Sequence, residues 1–189
     1  MVGPQLKKLK QEIDHYLGIP YMINTLSEGK VVGEKFLGAK GNWQQIFSET
    51  EKTAKQEKID LKSLTPSQLY NFQKKHHLGI DCSGLVSNLL IFYGKLINKK
   101  LKIDIRKTSA DILTSNKLSQ EIKNPNDIKT GDLVRQKNGH HVLFIIEKKD
   151  NIVYYVDSSR KNRKVSLGNF DLTDPSFDNQ GIYRLFFFN

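Results

Sequence analysis

The fold of this chain is decided by one stretch, DCSGLVSNLLIFYG at residues 81–94. Apolar residues recur along it on nearly every side of a helix, and a helix of that kind must be buried. Cys82 stands where this helix would start, beside unpaired backbone N–H groups and the positive end of the helix dipole, which favour a thiolate. The stretch therefore predicts a buried helix with a candidate nucleophile at its N-terminus. The alternative is that Cys82 is an inert core residue, as many free cysteines are.

Helices are predicted on either side of this stretch, and strands follow. Apolar residues at helical spacing between Pro4 and Gly18 predict a helix over 4–17. The capping box Thr65-Pro66-Ser67-Gln68 opens a short helix to about Lys75, and Thr108 is expected to cap another through Ser115. The expected strands are LVRQ (133–136), HVLFIIEKK (141–149), IVYYVDSS (152–159) and GIYRLFFF (181–188). Helices first and an antiparallel meander afterwards predict an α+β fold.

The length of 189 residues suits a single domain spanning 1–189. The polar stretch at about 23–64 has weak periodicity, and we interpret it as an insertion on the surface of that domain. Part of this insertion, SETEKTAKQEK at 48–58, has a helical composition.

A nucleophilic cysteine needs a base, and the base needs a group that orients it. His15, His76 and His77 occupy ordinary surface or helix-end positions, whereas His140-His141 opens a strongly apolar strand directly after a turn. If the hairpin turns at 149–151, His141 and Asp157 lie roughly opposite one another near its open end. A carboxylate beside an imidazole fixes its tautomer, so Asp157 is the candidate orienting residue. The alternative is that Asp157 only caps the end of a strand.

Five segments in this order resemble the NlpC/P60 cysteine peptidases, a family of papain-like cell-wall endopeptidases. They are Leu17-Gly18-Ile19-Pro20-Tyr21, Asp81-Cys82-Ser83-Gly84-Leu85, Ile128-Lys129-Thr130-Gly131-Asp132-Leu133-Val134, Gly139-His140-His141-Val142 and Val156-Asp157-Ser158-Ser159. The resemblance covers residues 78–159 well and 13–22 in outline. It implies a papain-like NlpC/P60 fold in which N-terminal helices, with the nucleophile at a helix start, pack on an antiparallel sheet.

The resemblance also implies roles for individual residues. Cys82 would be the nucleophile, His141 rather than His140 the general base, and Asp157 the residue that orients the base. Tyr21 would sit by the oxyanion. Asp81 and Ser83 would contact the amino end of the substrate, as in members that cut stem peptides carrying a free L-Ala amine. This chain departs from the family pattern in residues 22–81, which replace a short Gly-rich link, and an insertion over the groove would change the substrate.

The charge and the composition of the chain limit its possible partners. The formal net charge is +10, but only five of the thirty basic residues are arginine, so we expect a weak attraction to anionic polymers and no specific binding of nucleic acid. The histidines and the single cysteine lack the spacing of a metal site, and no phosphate-binding glycine loop is present, so we expect neither a metal nor a cofactor. The apolar runs 142–146 and 185–188 are too short to span a membrane.

The sequence thus predicts a cysteine hydrolase that cleaves amide bonds in peptidoglycan stem peptides, such as the bond from γ-D-Glu to a diamino acid. One alternative keeps the fold and the triad but acts on a protein, as a deamidase, acyltransferase or peptidase. Another is a non-catalytic basic binding module. The amino terminus has no Sec-type signal peptide. We therefore expect a cytoplasmic protein, one exported by a non-Sec route, or one whose leader has been removed.

Overall fold

A computed structural model describes residues 3–23, 25–27, 30–32 and 36–188. The helices are α1 (Gly3–Asp14), α2 (Trp43–Gln56), α3 (Pro66–Lys75), α4 (Cys82–Leu96) and α5 (Ala110–Leu113). The strands are β1 (Thr25–Ser27), β2 (Lys30–Val32), β3 (Ser119–Glu121), β4 (Leu133–Gln136), β5 (His141–Lys149), β6 (Ile152–Ser158), β7 (Val165–Asp171) and β8 (Ile182–Leu185). Short 3-10 turns lie at Phe36–Ala39, Leu61–Ser63, Ile105–Lys107, Pro125–Asp127, Lys137–Gly139 and Phe186–Phe188.

The larger sheet is antiparallel, with strand order β3-β8-β4-β5-β6-β7, and β1 pairs with β2 separately. Helices at the N-terminal side and a six-stranded antiparallel sheet confirm the predicted α+β class. The sheet separates two buried clusters. One face of β5 packs with α1 and α4 through Val142, Phe144 and Ile146, whereas Leu143 and Ile145 on its other face belong to a second cluster.

Helix α4 begins at Cys82, as predicted, because Asp81 caps it by accepting a hydrogen bond from the N–H of Gly84. The chain at Pro20–Met22 runs beside the residues just before this cap. The N–H of Ile80 donates to the carbonyl of Pro20 at 3.0 Å, and the N–H of Met22 donates to the carbonyl of Ile80 at 3.2 Å. A Cβ at Gly79 would overlap the Pro20 carbonyl oxygen, so this close approach requires glycine.

Residues 43–56 of the predicted insertion are more deeply packed than a surface elaboration. Helix α2 runs from Trp43 rather than within 48–58, and a capping box between Asn42 and Gln45 starts it. Its residues Ile46, Thr50 and Ala54 are buried, and Ile46 belongs to the main core. Because two of these three buried side chains are threonine and alanine, the helix lacks the apolar periodicity that would have predicted it. The division of the chain into one domain with an insertion stays a prediction.

Four other boundaries differ from expectation. Helix α1 ends at Asp14 and a turn continues to Gly18, whose φ is +86°. The cap of α5 is Ser109 instead of Thr108, since the Thr108 hydroxyl donates to the carbonyl of Ile105 at 2.7 Å. The last strand ends at Leu185. Strand β7 was not predicted, because this edge strand alternates few apolar residues and leaves Leu167 56% exposed.

Candidate functional site

Cys82 is buried, with 7% of its surface exposed, at the start of α4. Burial, and after it the charge of Asp81, raise the pKa of the thiol, whereas a hydrogen bond from the backbone N–H of Val142 and the charge of Lys40 lower it, and the net pKa is about 12. The expectation that a helix start alone would favour the thiolate is therefore wrong for this structure. Desolvation of the buried thiolate is the largest influence on this pKa. The Val142 contact also places the sulfur at the start of β5, one residue from His141.

His141 and Asp157 form a buried pair. The Nε2 atom of His141 lies 3.1 Å from the Oδ2 atom of Asp157, and the two side chains are 8% and 6% exposed. The other carboxylate oxygen of Asp157 accepts a hydrogen bond from the Ser166 hydroxyl at 3.3 Å. When Nε2–H donates to the carboxylate, Nδ1 keeps its lone pair and can accept a proton. The pair therefore has the hydrogen bonding of an oriented general base.

A β-bulge puts these two side chains on one face of the sheet. Lys149 pairs with Ile152 across the turn, and a shift between Ile145 and Glu147 changes the register by one residue before Phe144 pairs with Val156. Because side chains alternate along a strand, the unshifted register would place Asp157 on the face opposite to His141. In the shifted register the two residues are diagonal neighbours and not direct cross-strand partners.

A cavity of about 500 Å³ opens beside the thiol. It is lined by four of the predicted site residues, Tyr21, Asp81, Cys82 and Ser83. It is also lined by three basic side chains that the sequence analysis missed, Lys40, Arg106 and Arg160, and by His140, which the sequence analysis considered and set aside as the base. His141 and Asp157 instead line a second cavity of about 260 Å³. The structure thus divides the predicted residues between two cavities, with Tyr21, Asp81, Cys82 and Ser83 in one and His141 and Asp157 in the other.

Tyr21 borders the thiol. Burial raises the pKa of its hydroxyl, the charges of Cys82 and Asp81 raise it further, and Arg160 lowers it. The Tyr21 backbone is held by a hydrogen bond to the carbonyl of Arg163 at 2.9 Å and by a bridge to Ile80. The hydroxyl therefore stays protonated at neutral pH, and it can donate a hydrogen bond into the cavity.

Lys40 has a buried ammonium group at the floor of the cavity. Its Nζ lies 2.9 Å from Oδ2 of Asp81, donates to the carbonyl of Thr108 at 3.1 Å and also contacts the hydroxyl of Ser83. Burial raises the pKa of Asp81, and the charge of Lys40 lowers it. No periodic or motif signal marks Lys40 in the sequence, because its partners lie far along the chain.

The raised pKa of Cys82 makes a prediction about its reactivity. Between pH 7 and pH 10, we expect alkylation by iodoacetamide to accelerate about tenfold per pH unit, because only the small thiolate fraction reacts. In denaturant the same rate should level off above a pKa of about 8.5. The measurement is the rate of alkylation followed by mass spectrometry. A rate in the folded protein that already levels off below pH 8 would contradict this and indicate a preformed thiolate.

No group of three or more His, Cys, Asp and Glu side chains in the described part of the chain is arranged to hold a metal ion. No helix among the described residues is both long and apolar enough to cross a membrane.

The fold and the site define an α+β protein with a cysteine at the start of a buried helix, next to a strand that carries a histidine–aspartate pair. No model of a protein family matches the chain, and no curated protein matches it. Its fold is similar to that of the P60 domain of antigen MAP1204 from M. avium subspecies paratuberculosis, at 15% identity and a TM-score of 0.45, with 96% of this chain and 94% of that chain covered.

The fold is also similar to that of the peptidoglycan hydrolase RipB from Mycobacterium tuberculosis. The identity is 17% and the TM-score 0.47, with 96% of this chain and 64% of that chain covered. Both structures are of the NlpC/P60 type that the sequence motifs resemble.

Proposed function

We propose that this protein is a cysteine hydrolase that cleaves amide bonds in peptidoglycan stem peptides, with Cys82 as the nucleophile, His141 as the general base and Asp157 as the residue that orients the base. The observation that carries the proposal is the buried His141–Asp157 pair, 3.1 Å apart, at the start of the strand whose next residue hydrogen-bonds the Cys82 sulfur. The similar fold of RipB, described as a peptidoglycan hydrolase, supports the choice of substrate. The target bond is the amide from γ-D-Glu to a diamino acid, as the motif resemblance implies.

The mechanism follows from the protonation states. Because burial keeps the Cys82 thiol neutral, its proton moves to Nδ1 of His141 as the sulfur attacks the substrate carbonyl. The carbonyl oxygen becomes an oxyanion, which the backbone N–H of Cys82 and the hydroxyl of Tyr21 stabilise. The amine then leaves with the proton from His141, and a thioester forms on Cys82. A water molecule gives a proton to His141, attacks the thioester and releases the acid and the thiol.

Asp157 acts in this mechanism through His141. Its carboxylate holds Nε2–H, which leaves Nδ1 free for the proton of the thiol, and it stabilises the imidazolium that forms. The hydrogen bond from Ser166 holds the carboxylate in place. Asp157 is therefore a positioning residue rather than a group that touches the substrate.

The test is mass spectrometry of purified muropeptides incubated with the protein, with the Cys82→Ala variant as the blank. We expect the wild type alone to release a stem-peptide fragment whose mass identifies the bond from γ-D-Glu to the diamino acid. If the fragments come from a different bond, the assignment as a cysteine hydrolase stands and the proposed target bond is wrong. A parallel incubation contains candidate proteins in place of muropeptides. If the muropeptides stay intact and a protein is modified, the substrate is a protein and the peptidoglycan assignment is wrong. No reaction with either would overturn the proposal.

A further inference from the structure

The ammonium group of Lys40 donates hydrogen bonds to the acceptors at one end of the cavity beside Cys82. Its ammonium group, 5% exposed, contacts the Asp81 carboxylate, the Ser83 hydroxyl and the Thr108 carbonyl. An ammonium group has three N–H donors, and here three different groups accept them. A second cation arriving in the cavity would compete with the Lys40 ammonium group for these acceptors.

The backbone holds Lys40 firmly in this position. The carbonyl of Ala39 accepts the N–H of Asp81 at 3.0 Å, and the carbonyl of Lys40 accepts a hydrogen bond from the Asn88 side chain at 3.2 Å. A Cβ at Gly84 would lie 2.6 Å from the Ala39 carbonyl oxygen, so the segment packs directly against the first turn of α4. These backbone contacts therefore fix the position of the Lys40 ammonium group in the cavity. A lysine on the free surface would have no such constraint.

The remaining charges of the cavity are mostly positive. Asp81 is paired with Lys40, and Asp111 is bound to Arg135, with Nη2 and Oδ1 2.6 Å apart. Arg106 and Arg160 also line the cavity, and neither side chain has an ion pair among the described residues. Because both carboxylates of the lining are already paired, the guanidinium groups of Arg106 and Arg160 are available to bind a ligand. Guanidinium groups bind carboxylates through paired N–H donors.

We infer that Lys40 determines substrate specificity: it excludes a free amino group from the cavity beside Cys82, and the cavity selects a substrate whose amino end is acylated and carries a carboxylate. This inference rests on the proposed function for the identity of the peptide. A substrate ammonium would meet a net positive cavity whose carboxylates are already paired with Lys40 and Arg135, and that arrangement disfavours like charge. A carboxylate would instead meet Arg106 and Arg160.

The test compares three forms of the peptide L-Ala-γ-D-Glu-diamino acid: with a free amine, N-acetylated and N-succinylated. For the wild type, we expect kcat/KM to be about tenfold or more higher for the N-succinyl form than for the free amine, with the N-acetyl form between them. Lys40→Met keeps the length of the apolar stem but removes the ammonium, so that Asp81 and Ser83 become available. In this variant, kcat/KM for the free-amine form should rise about tenfold relative to kcat/KM for the N-succinyl form.

The matched control is Lys52→Met, which removes a lysine that is 62% exposed on α2 and should leave the preference unaltered. Arg160→Gln, at an exposed position, should lower the preference for the N-succinyl form even if Lys40→Met fails to fold. Equal kcat/KM values for the free-amine and N-succinyl forms in the wild type would overturn the inference. So would an unchanged preference in folded Lys40→Met.

A binding measurement separates failure of this inference from failure of the proposed function. Titration calorimetry with Cys82→Ala measures the affinity of the same three peptides without turnover. If no form is cleaved by the wild type but the N-succinyl form binds most tightly, the proposed reaction is wrong and the role of Lys40 stands. If the peptides are cleaved and the free amine binds most tightly, the proposed reaction stands and the role of Lys40 is wrong.

Discussion

Cys82→Ser is expected to lower kcat for the cleavage of stem peptides by about ten-thousand-fold or more, as removal of a catalytic nucleophile does in other hydrolases. Serine is close to cysteine in size, so the variant keeps the packing at the start of α4. Its hydroxyl is a much weaker acid than the thiol, and burial disfavours its ionisation further. The neighbouring Ser83 cannot substitute, because its hydroxyl is already bonded to Lys40.

The measurement is the single-turnover rate on the muropeptide that the wild type cleaves, with the thermal unfolding midpoint as the control for folding. An unfolding midpoint close to that of the wild type, together with lost activity, assigns the loss to chemistry. Activity of Cys82→Ser within tenfold of the wild type would mean that the sulfur does not form the covalent intermediate.

The second large effect concerns the choice between two adjacent histidines. His141→Ala is expected to lower kcat by about a thousandfold to ten-thousandfold, the usual contribution of a positioned general base being at least a hundredfold. His140→Ala should lower it by less than tenfold. His140 lines the cavity with Cys82 and is exposed, but it has no carboxylate partner among the described residues, whereas His141 is buried against Asp157.

Asp157→Asn provides the matched test of orientation. The asparagine amide can donate a hydrogen bond to Nε2, which moves the ring proton to Nδ1 and blocks acceptance of the thiol proton. We expect kcat to fall by about a hundredfold or more while KM stays within twofold of the wild type. A larger loss in His140→Ala than in His141→Ala would reverse the assignment of the base, and an active Asp157→Asn would remove Asp157 from the mechanism.

Local sequence signals predicted the elements that depend on near neighbours in the chain. The capping box at Thr65–Gln68 starts α3, and Asp81 caps α4 at the expected residue. The long apolar runs of β5 and β6 and the turn between them were also predicted, because alternation and a turn signal act over a few residues. Helix α2 was predicted only in part, at 48–58, and strand β7 was missed, since neither segment has a sustained apolar periodicity.

By itself, the sequence determined a buried helix that begins at Cys82, an antiparallel meander of β4, β5 and β6 after it, and His141 at the start of a central strand. The last predicted strand, β8, does not continue this meander, because it returns to lie between β3 and β4. The tertiary structure alone decided three other properties: the bulge that turns Asp157 toward His141, the burial that raises the pKa of Cys82, and the pairing of Lys40 with Asp81. Caps and periodicity are short-range interactions, which a local sequence pattern encodes. The protonation of a thiol and the partner of an ammonium depend on desolvation and charge, and those are set by segments distant in the chain that pack together only in the folded protein.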